Sequence, residues 1–150
     1  MEYHVEQIEL AEQPTAVVRG LVPEEAIPEF LGGVFGEVLT AIEAQGLHPA
    51  GMPFGCYVLT ATGFEVEAGF PTSAAVAPTG RVVASSLPGG PAVQVLHRGS
   101  YGEVRAAYEA AEAWLVDHDW ESTGPAWETY LDDPEVPEPR TVVSLPCRPR

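Results

Sequence analysis

Glu128 stands inside the string WETY, residues 127–130, just after the turn signal Gly124–Pro125. Read as a strand, this stretch puts Glu128 and Tyr130 on one face and Trp127, Thr129 and Leu131 on the other. The Trp, Thr, Leu side is the better core face, which predicts that Glu128 and Tyr130 point into solvent, a pocket or an interface. A carboxylate beside phenols can pair with a positive charge or hold a water as a general base. A tyrosine adds both a ring and a hydroxyl to such a site. Burial would raise the pKa of the acid and favour its neutral form unless a partner is near, which tunes an empty pocket for a cation.

Other reactive side chains make weaker patterns. His97 and Tyr101 in HRGSY have the types of an acid–base pair, but Gly99 and Ser100 mark a strand-to-helix corner, where satisfying backbone groups is the stronger reading. Glu65 and Glu67 alternate on a strand without a facing acid and read as a solvated face, not a glycosidase-like dyad. Cys56 and Cys147 read as free thiols. His4, His48, His97 and His118 are scattered, so no zinc-like cluster, metal or cofactor is implied. No G-x-S-x-G elbow, Walker-type loop or dinucleotide fingerprint is present.

The chain has 150 residues, 45% of them hydrophobic, which suits one core and a single domain spanning residues 1–150. Seven basic residues against 22 acidic ones give a formal net charge of −15. That field repels phosphate backbones and anionic lipid, so direct nucleic-acid and membrane partners are disfavoured and a cation is favoured. The N-terminus MEYHVEQIEL carries acids where a signal peptide needs basic residues and an apolar run, so a cytoplasmic location is expected. The charge-poor run VVASSLPGGPAVQVL is broken by Pro88, Gly89, Gly90 and Pro91, and reads as strand, turn, strand rather than a membrane span.

The elements that must position Glu128 form one unit written twice. YHVEQIEL and PTAVVRGL alternate as strands, and a helix follows from about Glu24 to Gln45. Its apolar stripe is Leu31, Val34, Phe35, Val38 and Ile42, and Gly46 is its cap. Gly32, Gly33 and Gly36 inside it suggest close packing against another backbone. FGCYVLT and FEVEAGF complete the first half around a turn at Thr62 and Gly63. In the second half RVVASSL and AVQVLHR are strands, Ser100 and Glu103 form a capping-box pattern, and Val104, Ala107, Tyr108, Ala111 and Leu115 mark a core helix stripe. Trp114 also reads as core; PAWETYL and RTVVSLP finish the half, on either side of the acidic loop DDPEVPEP.

The predicted fold is therefore α+β, a duplicated strand-strand-helix-strand-strand unit, approximately residues 1–75 and 80–150. Two such halves pack most simply about a pseudo-two-fold axis, each helix covering one face of its strands and the other faces enclosing a ligand cleft. VVRGL lines up with LHRGS, and FGCYV with WETYL, so Phe54 matches Trp127, Gly55 matches Glu128 and Tyr57 matches Tyr130. This reading places Trp127 and Phe54 as core beneath the helices and gives Tyr57, Glu128 and Tyr130 a common cleft.

The string VLHRGSYGEVRAAYEAAEAWLVDHDW, followed by GPAWETYLDDP and a last strand ending in SLP, resembles the GyrI-like (gyrase-inhibitor-like) small-molecule-binding domain, also the effector-binding module of some bacterial transcription activators. His97, Gly99, Tyr101, Trp114, Trp127, Glu128, Tyr130 and Pro134 fall in the family's order; the first half is looser. The resemblance implies a duplicated α+β fold with an aromatic cleft and a buried Glu that meets cationic or polar ligands, here Glu128. Activator-linked members carry an N-terminal helix-turn-helix; since strand pattern begins at residue 3 here, a stand-alone form is expected.

Three functions follow from the resemblance and stay open at this point. The first is binding of an amphipathic, aromatic or cationic molecule of multidrug type, with Glu128 as polar anchor and Tyr57 and Tyr130 as walls. The second is a hydrolase that opens the cyclopropane ring of DNA-alkylating natural products, with Glu128 activating water and Tyr57 holding substrate. The third is a gyrase-inhibitor-type interaction module, which would dock a protein partner through its acidic surface; a homodimer is a further option.

Overall fold

A computed structural model describes residues 3–133 and 135–150. Pro134, one of the residues that carry the resemblance, lies outside the described residues. The elements are β1 Val5–Leu10, β2 Gln13–Val22, α1 Ile27–Ala44, β3 Phe54–Thr60, β4 Gly63–Pro71, β5 Val83–Leu87, β6 Gly90–Arg98, α2 Arg105–His118, β7 Trp120–Ser122, β8 Trp127–Tyr130 and β9 Arg140–Pro149. Each helix is entered through a 3-10 turn, Glu24–Ala26 before α1 and Tyr101–Glu103 before α2. The α+β class and the order of elements are those expected, with the short β7 added.

The chain forms two compact units, one of residues Glu12–Leu87 and one of Pro88–Arg150 joined by the N-terminal strand. We call them the N-unit and the C-unit. In the N-unit the antiparallel sheet order is β3-β4-β2-β5; in the C-unit it is β8-β9-β6-β1, with β7 paired to the end of β9. The sequence repeat and the units therefore differ by one strand. β1 opens the first repeat but pairs with β6, and β5 opens the second but pairs with β2. The short β1–β2 and β5–β6 connections do not make hairpins, because each leads from the edge of one sheet into a strand of the other unit.

In the N-unit, Val34, Val38 and Ile42 of α1 are buried against Ala16 and Val18 of β2 and Val66 and Ala68 of β4, while Leu31 and Phe35 flank that core. The apolar stripe thus acts as the period predicted. Gly46 ends the helix at φ 72°, where a left-handed residue suits glycine, and the Leu47 N–H returns to the Ile42 carbonyl at 3.1 Å. The internal glycines do not serve close packing. Gly32, Gly33 and Gly36 are exposed, and a Cβ added at any of them would meet nothing within 4 Å.

In the C-unit, Ala107, Ala111 and Leu115 of α2 pack on Val93, Val95, Val143 and Leu145 of the sheet. The capping box is absent: Ser100 makes no side-chain bond to the helix start, and its carbonyl instead accepts the Glu103 N–H at 3.1 Å. No helix among the described residues is long and apolar enough to cross a membrane.

Candidate functional site

Register decides where Glu128 points. Glu128 on β8 faces Val143 on β9, which faces Val95 on β6; Tyr130 faces Thr141, which faces His97. Directly opposed residues share a sheet face, so these two rows lie side by side on the same face. Val143 and Val95 are core under α2. Glu128 and Tyr130 therefore lie on the helix side, and Trp127, paired with Ser144, lies on the other.

This corrects the sequence reading, which had the alternation right and the faces reversed. Trp127, Glu128 and Tyr130 are all buried, so polarity along a four-residue strand does not report which face the helix covers. Phe54 is reversed in the same way. It pairs with Gly69, whereas Gly55 and Tyr57 pair with Ala68 and Val66 of the α1 core.

Glu128, 8% exposed, is held by two phenols. Tyr108 of α2 donates to Oε2 at 2.6 Å, and Tyr130 donates to Oε1 at 3.0 Å. Tyr101, from the turn before α2, sets its ring 5.3 Å from that of Tyr130 at an angle of 50° and donates its hydroxyl to the Asp132 carbonyl at 3.1 Å. Asp132 in turn accepts from the Arg140 backbone N–H at 3.0 Å and guanidinium at 2.8 and 3.1 Å, which closes the loop after β8 and holds the aspartate below its ordinary pKa.

Burial pushes the Glu128 pKa up, and the bonds from Tyr108 and Tyr130, with His97 nearby, pull back only part of that rise. The Tyr101 hydroxyl is also raised, first by burial and then by Asp133, Asp132 and Glu128. Among the described residues no arginine is paired with Glu128: the ion pairs formed are Arg19–Glu67, Arg81–Glu37, Arg140–Asp132, Arg148–Glu121 and Arg150–Asp119. A buried acid with phenol donors but no ion-pair partner among the described residues is chemically complementary to a positive charge.

The sequence from residue 1 to 146 matches the family model of the GyrI-like small molecule binding domain. The chain belongs to this family. The fold of this GyrI-like domain is similar to that of the EcmrR C-terminal domain, with a TM-score of 0.86, 22% identity and 100% of each chain covered. It spans 58% of the EcmrR chain solved in a DNA complex by cryo-electron microscopy, at 21% identity and a TM-score of 0.85, with 99% of this chain covered. SAV2435 bound to tetraphenylphosphonium aligns at a TM-score of 0.66 and 16% identity over 99% of this chain and 94% of that one. A hydrolase from Listeria innocua aligns at 0.72 and 13% over 96% and 91%. No protein of curated function matches the sequence.

Within the GyrI-like domain the residues picked from the sequence have separate places. Glu128 and Tyr130 come together in the C-unit. Tyr57 belongs to the N-unit, half-buried beside the α1 core, with its ring lying over Gly55. His97 holds the corner: its Nε2 is 2.9 Å from the Ser100 carbonyl and its Nδ1 is 2.9 Å from the Tyr3 hydroxyl. A carbonyl only accepts, so Nε2 carries a hydrogen on that side. His97 and Tyr101 therefore bond to different partners and form no acid–base pair.

Glu67 binds Arg19 at 2.6 Å and Glu65 is exposed, as a solvated face requires. Cys56 and Cys147 are not joined in a disulfide. Among the described residues no three His, Cys, Asp or Glu side chains gather as metal ligands. The candidate-site residue missed in the sequence is Tyr108, read there only as helix core. Its signal was a tyrosine on a buried stripe, whose hydroxyl needs a partner.

Proposed function

We propose that this GyrI-like domain binds an amphipathic aromatic cation, with Glu128 as the counter-charge. The observation that carries this reading is the buried carboxylate held by Tyr108 and Tyr130 without a paired cation among the described residues. A cation entering the site restores the ionised form that burial disfavours, and the two phenol bonds keep that form oriented. Tyr130, which bonds the acid, and Tyr101 have ring centroids 5.3 Å apart and are side chains of the type that pairs with a cation, and SAV2435, of like fold, is bound to tetraphenylphosphonium.

The test is a titration of tetraphenylphosphonium, followed by calorimetry, into the wild type and Glu128→Gln. Removing the charge while keeping the shape is expected to weaken binding by about 30-fold or more, the worth of one partner in a buried charge pair. Equal affinity in the two proteins removes Glu128 from the role of counter-charge.

A further inference from the structure

Two buried side-chain polar atoms lack a hydrogen-bond partner among the described residues, the hydroxyls of Thr15 and Thr141. Thr15 belongs to the N-unit. Thr141 is 0% exposed and stands in the row Tyr130–Thr141–His97, next to the row that carries Glu128. An unpaired buried hydroxyl costs the fold about 1–3 kcal/mol, and valine, of the same shape, would avoid that cost. The N-unit has that valine: Val66 faces both Tyr57 and Gly20, as Thr141 faces both Tyr130 and His97.

The neighbours of Thr141 do not account for the hydroxyl. Both ring nitrogens of His97 are taken, by Tyr3 and by the Ser100 carbonyl, and the Tyr130 hydroxyl is directed at Glu128. We infer that Thr141 is a specificity-determining residue, whose hydroxyl meets a hydrogen-bonding group on the ligand's aromatic body while Glu128 meets its charge. Diagonal neighbours on adjacent strands lie roughly 7–8 Å apart, the separation of a charge and a ring substituent in one small molecule. The ligand class is thus an aromatic cation that carries a hydroxyl, carbonyl or amide, not a purely lipophilic one. The inference rests on Glu128 being the counter-charge.

The experiment measures affinities of tetraphenylphosphonium and its meta- and para-hydroxyphenyl analogues for the wild type, Thr141→Val, Thr141→Ser and Glu128→Gln. In the wild type one of the hydroxylated isomers is expected to bind about fivefold more tightly than the parent, the worth of one hydrogen bond. Thr141→Val should erase that preference, so that the hydroxylated isomers bind no more tightly than the parent, and Thr141→Ser should restore it. Thr141→Val should also raise the urea midpoint of the ligand-free protein. A preference that survives in Thr141→Val, its absence from the wild type with both isomers, or a Thr141→Val protein of lower stability would each overturn the inference. Insensitivity of all three probes to Glu128→Gln would instead sink the counter-charge reading beneath it.

Discussion

The N-unit and the C-unit share a sheet order and a helix placement, yet only one of them carries a polar set under its helix. By register Gly55 stands where Glu128 does, Val66 where Thr141 does and Gly20 where His97 does. Counted from the 3-10 turns, Leu31 stands where Tyr108 does. Only the tyrosine is kept, as Tyr57 and Tyr130. In the N-unit rings fill the places of the missing groups: Tyr57 lies over Gly55, and a Cβ at Gly20 would come within 2.9 Å of the Phe30 ring. The same scaffold therefore closes without acid, threonine or histidine. In the C-unit His97 holds the strand-to-helix corner, whereas the acid and the threonine add desolvation cost that the fold does not require, which is why they are read as a ligand site.

The largest expected effect tests how far the two sheets are equivalent. Gly69 faces Phe54 as Ser144 faces Trp127, but a Cβ at Gly69 would overlap the Ala16 carbonyl oxygen, which is backbone and cannot turn aside. Gly69→Ala should lower the unfolding free energy by more than about 3 kcal/mol, by urea denaturation. Ser144→Ala, which loses only the 3.0 Å bond from Gln94, should cost about 1 kcal/mol. Similar losses in the two variants would show that the strands of the N-unit have room that their register denies.

A second test concerns the acid that only the C-unit has. Because the Glu128 pKa is raised in the folded state, the fold binds that proton more tightly than the unfolded chain. The contribution is fully present below the ordinary glutamate pKa and is lost as pH rises through the raised value. Glu128→Gln lacks this dependence. Its stability relative to the wild type should therefore climb across that window and level off above it, read as urea midpoints from about pH 4 to about pH 8. A difference that stays flat with pH would mean that Glu128 titrates alike in the folded and unfolded chains.

The smallest effect separates the two helices. Gly32, Gly33 and Gly36 of α1 correspond to Glu109, Ala110 and Ala113 of α2, all better helix formers. Each Gly→Ala replacement should raise stability by about 0.5–1 kcal/mol, since the added methyl meets nothing. A loss of stability in any of the three would show that the open face of α1 is covered by something.

Much of the architecture was legible along the chain. FGCYVLT is β3 from end to end, the α1 stripe is buried as its period demands, and the duplicated order of elements holds. String likeness was less reliable between strands. VVRGL against LHRGS matches Gly20 to Gly99, whereas the register that pairs Gly55 with Glu128 matches Gly20 to His97. A slip of two residues keeps every side chain on its face, so the hydrophobic pattern cannot detect it. The face of Glu128 was misread because its strand is buried on both sides.

Period, turn residues and composition are local quantities, and they sufficed for the elements, the duplication and the charge, whereas Glu128 was singled out by the family resemblance and by a strand parity whose faces were reversed. The pairing of β1 with β6 and β5 with β2, the Tyr108 hydroxyl on Glu128 and the unpartnered hydroxyl of Thr141 are of another kind. Each depends on the register between segments far apart in the chain, and a side chain's partner across a sheet or beneath a helix is written in no single stretch of it.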